Sequence, residues 1–280
     1  MTSEEHEEIS KTGRRNKRDN RITLSLSTPQ PALQATTLAP LNPVQSGSSP
    51  SSGYHNLFVL QHAAVPYIAP FLTFLAFLAL EGWLFDNTPA LYPIRFFTVA
   101  AVIIVFSRRV MDWRLANPLG SILLGVAVFV IWIGPDLLIP GYRSHWLFQN
   151  SIFGQVRSSV PRDIKANALF ITIRFAGASL LVPILEELFW RNWLPRWLID
   201  GEDFQRVPVG HFTTSAFWIV AILFALEHGP YWEVGLIAGI LYNWWMMRTK
   251  RLADCILAHG VTNACLSTYV LAADQWQYWL

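Results

Sequence analysis

Charge is what this sequence has least of. Of its 280 residues only 14% are Asp, Glu, Lys or Arg, while 52% are hydrophobic, and a chain so balanced cannot cover a soluble domain with a hydrated surface. The shortage is uneven as well, because 11 of the 40 charged residues lie between Glu4 and Arg21. A net charge of +2, with the basic residues in short clusters between apolar blocks, excludes the continuous basic face of a nucleic-acid binder. Cysteine is nearly absent too. Cys255 and Cys265 share one apolar stretch with no CxxC or His/Cys ligand spacing, which excludes a disulfide framework and a zinc ribbon. The chain also lacks HExxH, and Gly177-Ala178-Ser179 is followed by Leu180, so no GxSG serine element is present.

What the chain has instead is a polar beginning and long apolar runs. Residues 1–56 join a charged opening to a Ser/Thr/Pro/Gln/Gly tract (Ser25 to Gly53), too poor in apolar side chains to offset the entropy of ordering, and we read them as a disordered cytoplasmic tail. No apolar h-region follows the basic residues, and the acids Glu4, Glu5, Glu7 and Glu8 suit neither a signal peptide nor an organellar transit peptide. Residues 57–280 form the membrane domain. Seven stretches there are long enough for a hydrocarbon core of about 30 Å: Ala63 to Phe85, Thr88 to Phe106, Ala116 to Pro135, Ala166 to Ile184, Val207 to Leu226, Tyr231 to Met247 and Leu252 to Ala273. The expected fold class is all-α, a polytopic transmembrane helix bundle of about seven spans. Gly141 to Val156 mixes aromatic and polar residues and is expected to form an interfacial helix or a partial eighth span.

The basic residues orient the bundle. Six lie in the tail, and Arg108, Arg109, Arg114, Arg196, Arg206, Arg248, Lys250 and Arg251 lie in loops on the same side of seven spans. The other side has Arg143, Arg157, Arg162 and Lys165. The positive-inside rule then puts the N-terminus in the cytoplasm, of a cytoplasmic membrane that we expect to be bacterial; an eighth span would break this parity.

Ionisable groups in lipid are costly, so each one inside a span is a functional candidate. Glu81, Arg95, Glu233 and Asp254 fall near span ends, where snorkelling or the headgroup region accommodates them. Arg174 lies deeper and is expected to pair with a carboxylate of a neighbouring helix. The sharpest cluster is Glu186-Glu187-Leu188-Phe189-Trp190-Arg191. Glu187 and Arg191 are i and i+4 and can pair, whereas Glu186 points about 100° away and stays unpaired on its own helix. A desolvated carboxylate of that kind suits a general base. His228 closes the fifth span, and His259 and Asn263, again i and i+4, can donate to a single oxygen in the manner of an oxyanion hole.

Glu186-Glu187-x-x-x-Arg191, Phe224-x-x-x-His228 and His259-x-x-x-Asn263, in this order on successive spans, resemble the three motifs of the CAAX protease and bacteriocin-processing family (CPBP or Abi membrane proteins), and most closely its bacterial CAAX protease-related branch. The resemblance covers roughly residues 166–273. It implies a membrane endopeptidase of glutamate type acting on a membrane-associated or lipidated polypeptide. Glu186 and His228 would activate water, His259 and Asn263 would stabilise the oxyanion, Glu187 with Arg191 would brace the site, and Phe224 would pack beside it. The expected partners are the lipid bilayer and that polypeptide, with no nucleic acid.

No cofactor is expected; zinc held by Glu186, His228 and His259 is the alternative. A nucleophilic Cys255 next to His259 is a weaker rival. A non-catalytic immunity or scaffold protein of the same fold and a proton-relaying transporter are the rivals from other classes. One geometric condition follows. Glu186 and His228 lie toward opposite ends of simple spans, so for them to meet, the fourth helix must continue past Trp190 and the Gly229-Pro230 turn must be sunk within the membrane.

Overall fold

The computed structural model describes residues 62–84, 91–156, 158, 160 and 164–279. The putting of a disordered tail at residues 1–56 lies outside these described residues. Seven helices follow in order: α1 (Val65–Leu84), α2 (Leu91–Ser107), α3 (Pro118–Leu138), α4 (Ala168–Ile199), α5 (Thr214–Glu227), α6 (Trp232–Thr249) and α7 (Leu252–Ala273). Among the described residues no strand occurs beyond an isolated bridge between Asn150 and Gly154. The fold is an all-α bundle, and each helix overlaps one of the seven expected spans.

By length and composition α3, α4 and α7 can each cross a membrane, and shorter apolar helices run over Val65–Glu81, Leu91–Ser107 and Thr214–Glu227. Their outward faces are apolar: Phe97, Leu119, Leu123 and Leu180 are each more than 60% exposed. Such a surface belongs against lipid. The segment from Gly141 to Val156 departs from expectation. It holds one 3-10 turn, Tyr142–Ser144, among bends and turns, and no α-helix. Its polar residues are used for bonds into the bundle, described below, rather than for one face of an amphipathic helix.

Local sequence explains the helix ends. Asn117 caps α3 by accepting the Gly120 N–H at 2.9 Å, with Pro118 at the first helical position; Asn167 caps α4 through Phe170 N–H, and Thr213 caps α5 through Ala216 N–H. Two prolines shape α4. Pro183 and Pro195 each follow a π-helical segment, Gly177–Leu181 and Leu188–Trp193. A proline has no N–H and its ring crowds the carbonyl four residues back, and widening the preceding turn relieves that clash. The helix therefore continues through both prolines over 32 residues, well past Trp190.

The most extensive helix pairings are α3 with α7 and α5 with α6. Both rest on glycine. A Cβ on Gly125 would lie 2.4 Å from the Ala258 carbonyl oxygen of α7, and one on Gly239 would meet Ala221 of α5 at 3.2 Å. Such close backbone approach is how membrane helices gain packing energy when lipid supplies no hydrophobic drive. Thr262 uses the approach, donating to the Gly125 carbonyl at 2.8 Å.

The four charges expected to snorkel do not. Asp254 is fully buried and accepts from Ala116 N–H (2.7 Å), Asn117 N–H (2.9 Å) and the Ser121 hydroxyl (2.8 Å), so it is a second cap for α3. Arg95 pairs with Glu81 at 2.7 Å, and Glu233 pairs with Arg143 at 2.6 Å. Each has its partner inside the protein, which is why none needs the interface. In the exposed loop before α3, the Arg114 guanidinium and N–H hold the Asp112 carboxyl down to about 2, and Arg251 reaches the same carboxylate at 2.9 Å.

Asp254→Ala leaves two backbone donors and a buried hydroxyl without their acceptor. We expect a loss of about 3 kcal/mol, since an unsatisfied buried donor costs roughly 1–3 kcal/mol. Unfolding in detergent measures it, and Asp112→Ala, whose group is exposed, serves as the near-neutral comparison.

Candidate functional site

The two adjacent glutamates of α4 enter different environments. Glu187 is completely buried and its Oε1 lies 3.3 Å from Nη1 of Arg191, which is also completely buried. The guanidinium carbon stands 4.1 Å from the centre of the Phe224 ring and 5.3 Å from that of Tyr242. Ion pairing and two aromatic faces thus replace water around this cation. The same Glu187 Oε1 accepts from Nδ1 of His259 at 2.9 Å. One carboxylate oxygen therefore holds a residue of its own helix and one of α7.

That bond settles the orientation of His259. A carboxylate accepts, so Nδ1 carries the proton, and the other ring nitrogen faces Glu186, with Nε2 4.0 Å from Glu186 Oε2. The ring is stacked on Tyr242, centroids 5.1 Å apart at 25°. Tyr242 is fixed in turn by the hydrogen bond between its hydroxyl and Thr262, 2.7 Å.

His228 is held by backbone. Its Nδ1 is 2.6 Å from the Phe224 carbonyl oxygen one turn earlier, and because a carbonyl can only accept, Nδ1 donates and Nε2 of the neutral ring keeps its lone pair. The imidazole packs 4.6 Å from the Phe224 ring and 5.1 Å from Trp132. Phe224 also touches His259 edge-on at 6.2 Å, so a single phenyl separates the two imidazoles. The chain turns at once after His228. Gly229 takes φ +52, the left-handed region that glycine tolerates, and Pro230 and Tyr231 are buried.

Asn263, one turn beyond His259, donates from Nδ2 to the Ala178 carbonyl at 2.9 Å. The first π segment explains why that carbonyl is available. Val182 N–H bonds to Gly177 O, five residues back, and the corresponding donor for Ala178 would be Pro183, which has none. Its second amide hydrogen is not used by this bond.

Glu186, His228, His259 and Asn263 line one cavity of about 320 Å³, together with Trp132 and Thr262. The structure brings these four to one space and puts Glu187 and Arg191 directly behind them. Long continuation of α4 and the buried turn after His228 are what allow this. Arg174 stands 4.7 Å over the ring of Tyr92 and 5.8 Å from that of Trp279. Cys255 is buried against Tyr242 and Met246, and the imidazole nitrogen that could activate it is bonded to Glu187.

Sequence reasoning missed four contributors. Tyr242 and Thr262 look like ordinary helix residues. Glu227 accepts from Trp190 Nε1 at 2.9 Å, and only its position beside His228 hinted at a role. Arg143 belongs to the turn segment before α4. It donates to the Pro230 carbonyl at 2.6 Å while paired with Asp136 at 2.9 Å and with Glu233, and so ties down the turn that carries His228.

Residues 168–265 match the family described as Type II CAAX prenyl endopeptidase Rce1-like. The match runs from the start of α4 into α7 and contains all three motifs. Over this segment the chain belongs to the CAAX protease family, a family of hydrolases, and with its apolar helices the protein is an integral membrane protease acting on a protein substrate. No curated protein and no solved structure matches the chain.

Glu187→Gln removes the anion between two buried cationic partners. We expect a loss of about 3–5 kcal/mol, the usual cost of stranding one member of a buried pair, and partial recovery in Glu187→Gln with Arg191→Met, where no charge is left unpaired. Unfolding of the three variants in one detergent gives the comparison. Equal stability of the single and double variants would show that the pair is not coupled.

Proposed function

We propose that the protein hydrolyses a peptide bond of a membrane-associated or CAAX-like polypeptide by direct attack of water, with Glu186 and His228 as the activating pair and His259 with Asn263 as the oxyanion donors. The observation that carries this reading is the convergence of all four side chains, from three helices and one helix cap, on one cavity.

The bonding supports distinct roles. With Nδ1 donating to Phe224 O, His228 offers Nε2 as an acceptor for a proton of water. Glu186 has an oxygen without a hydrogen-bond partner among the described residues, ready to accept the other water hydrogen. As the water oxygen adds to the scissile carbonyl carbon, the carbonyl oxygen takes the electron pair. The second amide hydrogen of Asn263 and Nε2–H of His259 in its protonated form would donate to it. Glu186 and Glu187, both beside the His259 ring, favour that protonated form. Collapse of the intermediate breaks the C–N bond, and the proton taken from water passes to the leaving nitrogen. Catalysis by a desolvated base and preorganised donors needs no covalent intermediate.

Glu187 and Arg191 act through His259 and Phe224 and touch no substrate, so they are positioning residues. We infer no cofactor for this chemistry.

Two measurements test the reading. In membranes from cells expressing the protein, terminal-peptide proteomics should show peptide ends that vanish with Glu186→Ala and with His259→Ala; unchanged ends in both variants would end the protease proposal. On any substrate so found, Asn263→Ala is expected to lower kcat about 10²–10³-fold, the usual cost of one oxyanion donor, with little change in KM. Activity is expected to persist in chelator, whereas loss with rescue by zinc alone would replace the metal-free mechanism.

A further inference from the structure

The cavity is longer than the proposed chemistry requires, and its far end is cationic. Beyond Asn263 its wall is formed by Tyr92, Arg95, Arg174 and Trp279. The two guanidiniums each stand 4.7 Å from the centre of the Tyr92 ring. Tyr92 is itself fixed, its hydroxyl donating to the Arg174 carbonyl at 3.3 Å and filling the space over Gly177 that a Cβ would occupy. Arg95 is 4% exposed and bound to Glu81, whereas Arg174 is half-buried at the cavity wall between two aromatic rings. A planar guanidinium held by aromatic faces keeps its N–H edges for in-plane partners, and carboxylate is the group that matches them two at a time.

The spacing says where on a substrate that carboxylate would be. Asn263 is bonded to Ala178, four residues along α4 from Arg174, about 6 Å of helix rise. Helical side chains lean toward the N-terminus, which carries the guanidinium farther from Asn263. An extended peptide covers about 10 Å in three residues, so a chain with its scissile carbonyl at Asn263 reaches Arg174 two to three residues later.

We propose that Arg174, supported by Tyr92 and Arg95, is a specificity subsite that binds a substrate carboxylate two to three residues beyond the scissile bond on the leaving-group side. The inference rests on the hydrolytic reading above. A carboxylate at that distance can be the free α-carboxylate of a substrate that ends there, or an Asp or Glu side chain within a longer one. The subsite counts residues from a charge rather than reading a side-chain shape.

The test uses the full-length protein in detergent micelles and a randomised peptide library, N-acylated so that it partitions into them. The library is made in three forms: free acids, C-terminal amides, and amides extended by several residues with a fixed Asp at varied positions. Mass spectrometry locates the cuts. We expect free acids to be cut two or three residues from their end at least 10-fold faster than the amides. Rescue of the extended amides by Asp at the same spacing would assign the subsite to any carboxylate, and absence of rescue would assign it to the α-carboxylate. Arg174→Gln is expected to bring the acids down to the rate of the amides, chiefly through KM, with Arg174→Lys between the two.

Equal cutting of acids and amides by the wild type would overturn the subsite while leaving the hydrolytic reading intact. So would a preference that survives in Arg174→Gln. Cutting of none of the three forms would overturn both. A variant that fails to fold is recognised by its unfolding curve, and the acid-to-amide ratio of the wild type still decides the matter.

Discussion

The site depends on one buried oxygen, Oε1 of Glu187. It faces Arg191 on its own helix and His259 on α7, and the contacts fan out from there. Arg191 lies on the face of Phe224, Phe224 carries His228 through its carbonyl, and His259 stacks on Tyr242. Ion pairs in a low-dielectric interior gain little net stability, because the desolvation they require offsets most of their attraction. What they supply is a penalty for every other arrangement. With Glu187 turned aside, a guanidinium and an imidazole would both lose their anion in a place without water. The carboxylate therefore specifies the relation of α4 to α7 more than it strengthens it.

The helices were legible because lipid imposes a length on apolar runs, and all seven expected stretches are helical. The polar residues were harder. Their partners lie far away in sequence, as with Asp254 and Ala116, 138 residues apart, so a charge near the end of an apolar run looks alike whether it reaches for water or caps another helix. Glu81, Arg95, Glu233 and Asp254 were misread for this reason. The candidate site was more legible, because i,i+4 spacing is local: the Glu187–Arg191 pair follows from helix geometry alone. The bond between Glu187 and His259 does not, since no spacing within one helix encodes which face of α7 meets α4.

Proline 183 links the fold to the site in a way that neither its helix-breaking reputation nor the motif residues suggest. It leaves the Ala178 carbonyl without an intrahelical donor, and Asn263 supplies one. An unpaired carbonyl inside the bilayer would cost several kcal/mol, so this residue is under pressure from the backbone of α4 to stay where it is. The amide that would donate to an oxyanion is thereby held in place by a bond it already makes, which lowers the reorganisation left for the transition state.

The remaining constraint comes from outside the matched segment. His228 caps a helix at a glycine in left-handed conformation, and a cap followed by a turn is the least rigid place on which to mount a reacting group. Arg143 compensates. Its guanidinium binds the Pro230 carbonyl and is neutralised by Asp136 and Glu233, while Tyr278 donates to the second oxygen of Asp136 at 2.8 Å. The turn before α4, the cap of α5, the first turn of α6 and the residues after α7 thus meet at one cation. A motif-bearing segment can carry the reacting groups, but the precision of His228 is supplied by residues that contain no motif at all.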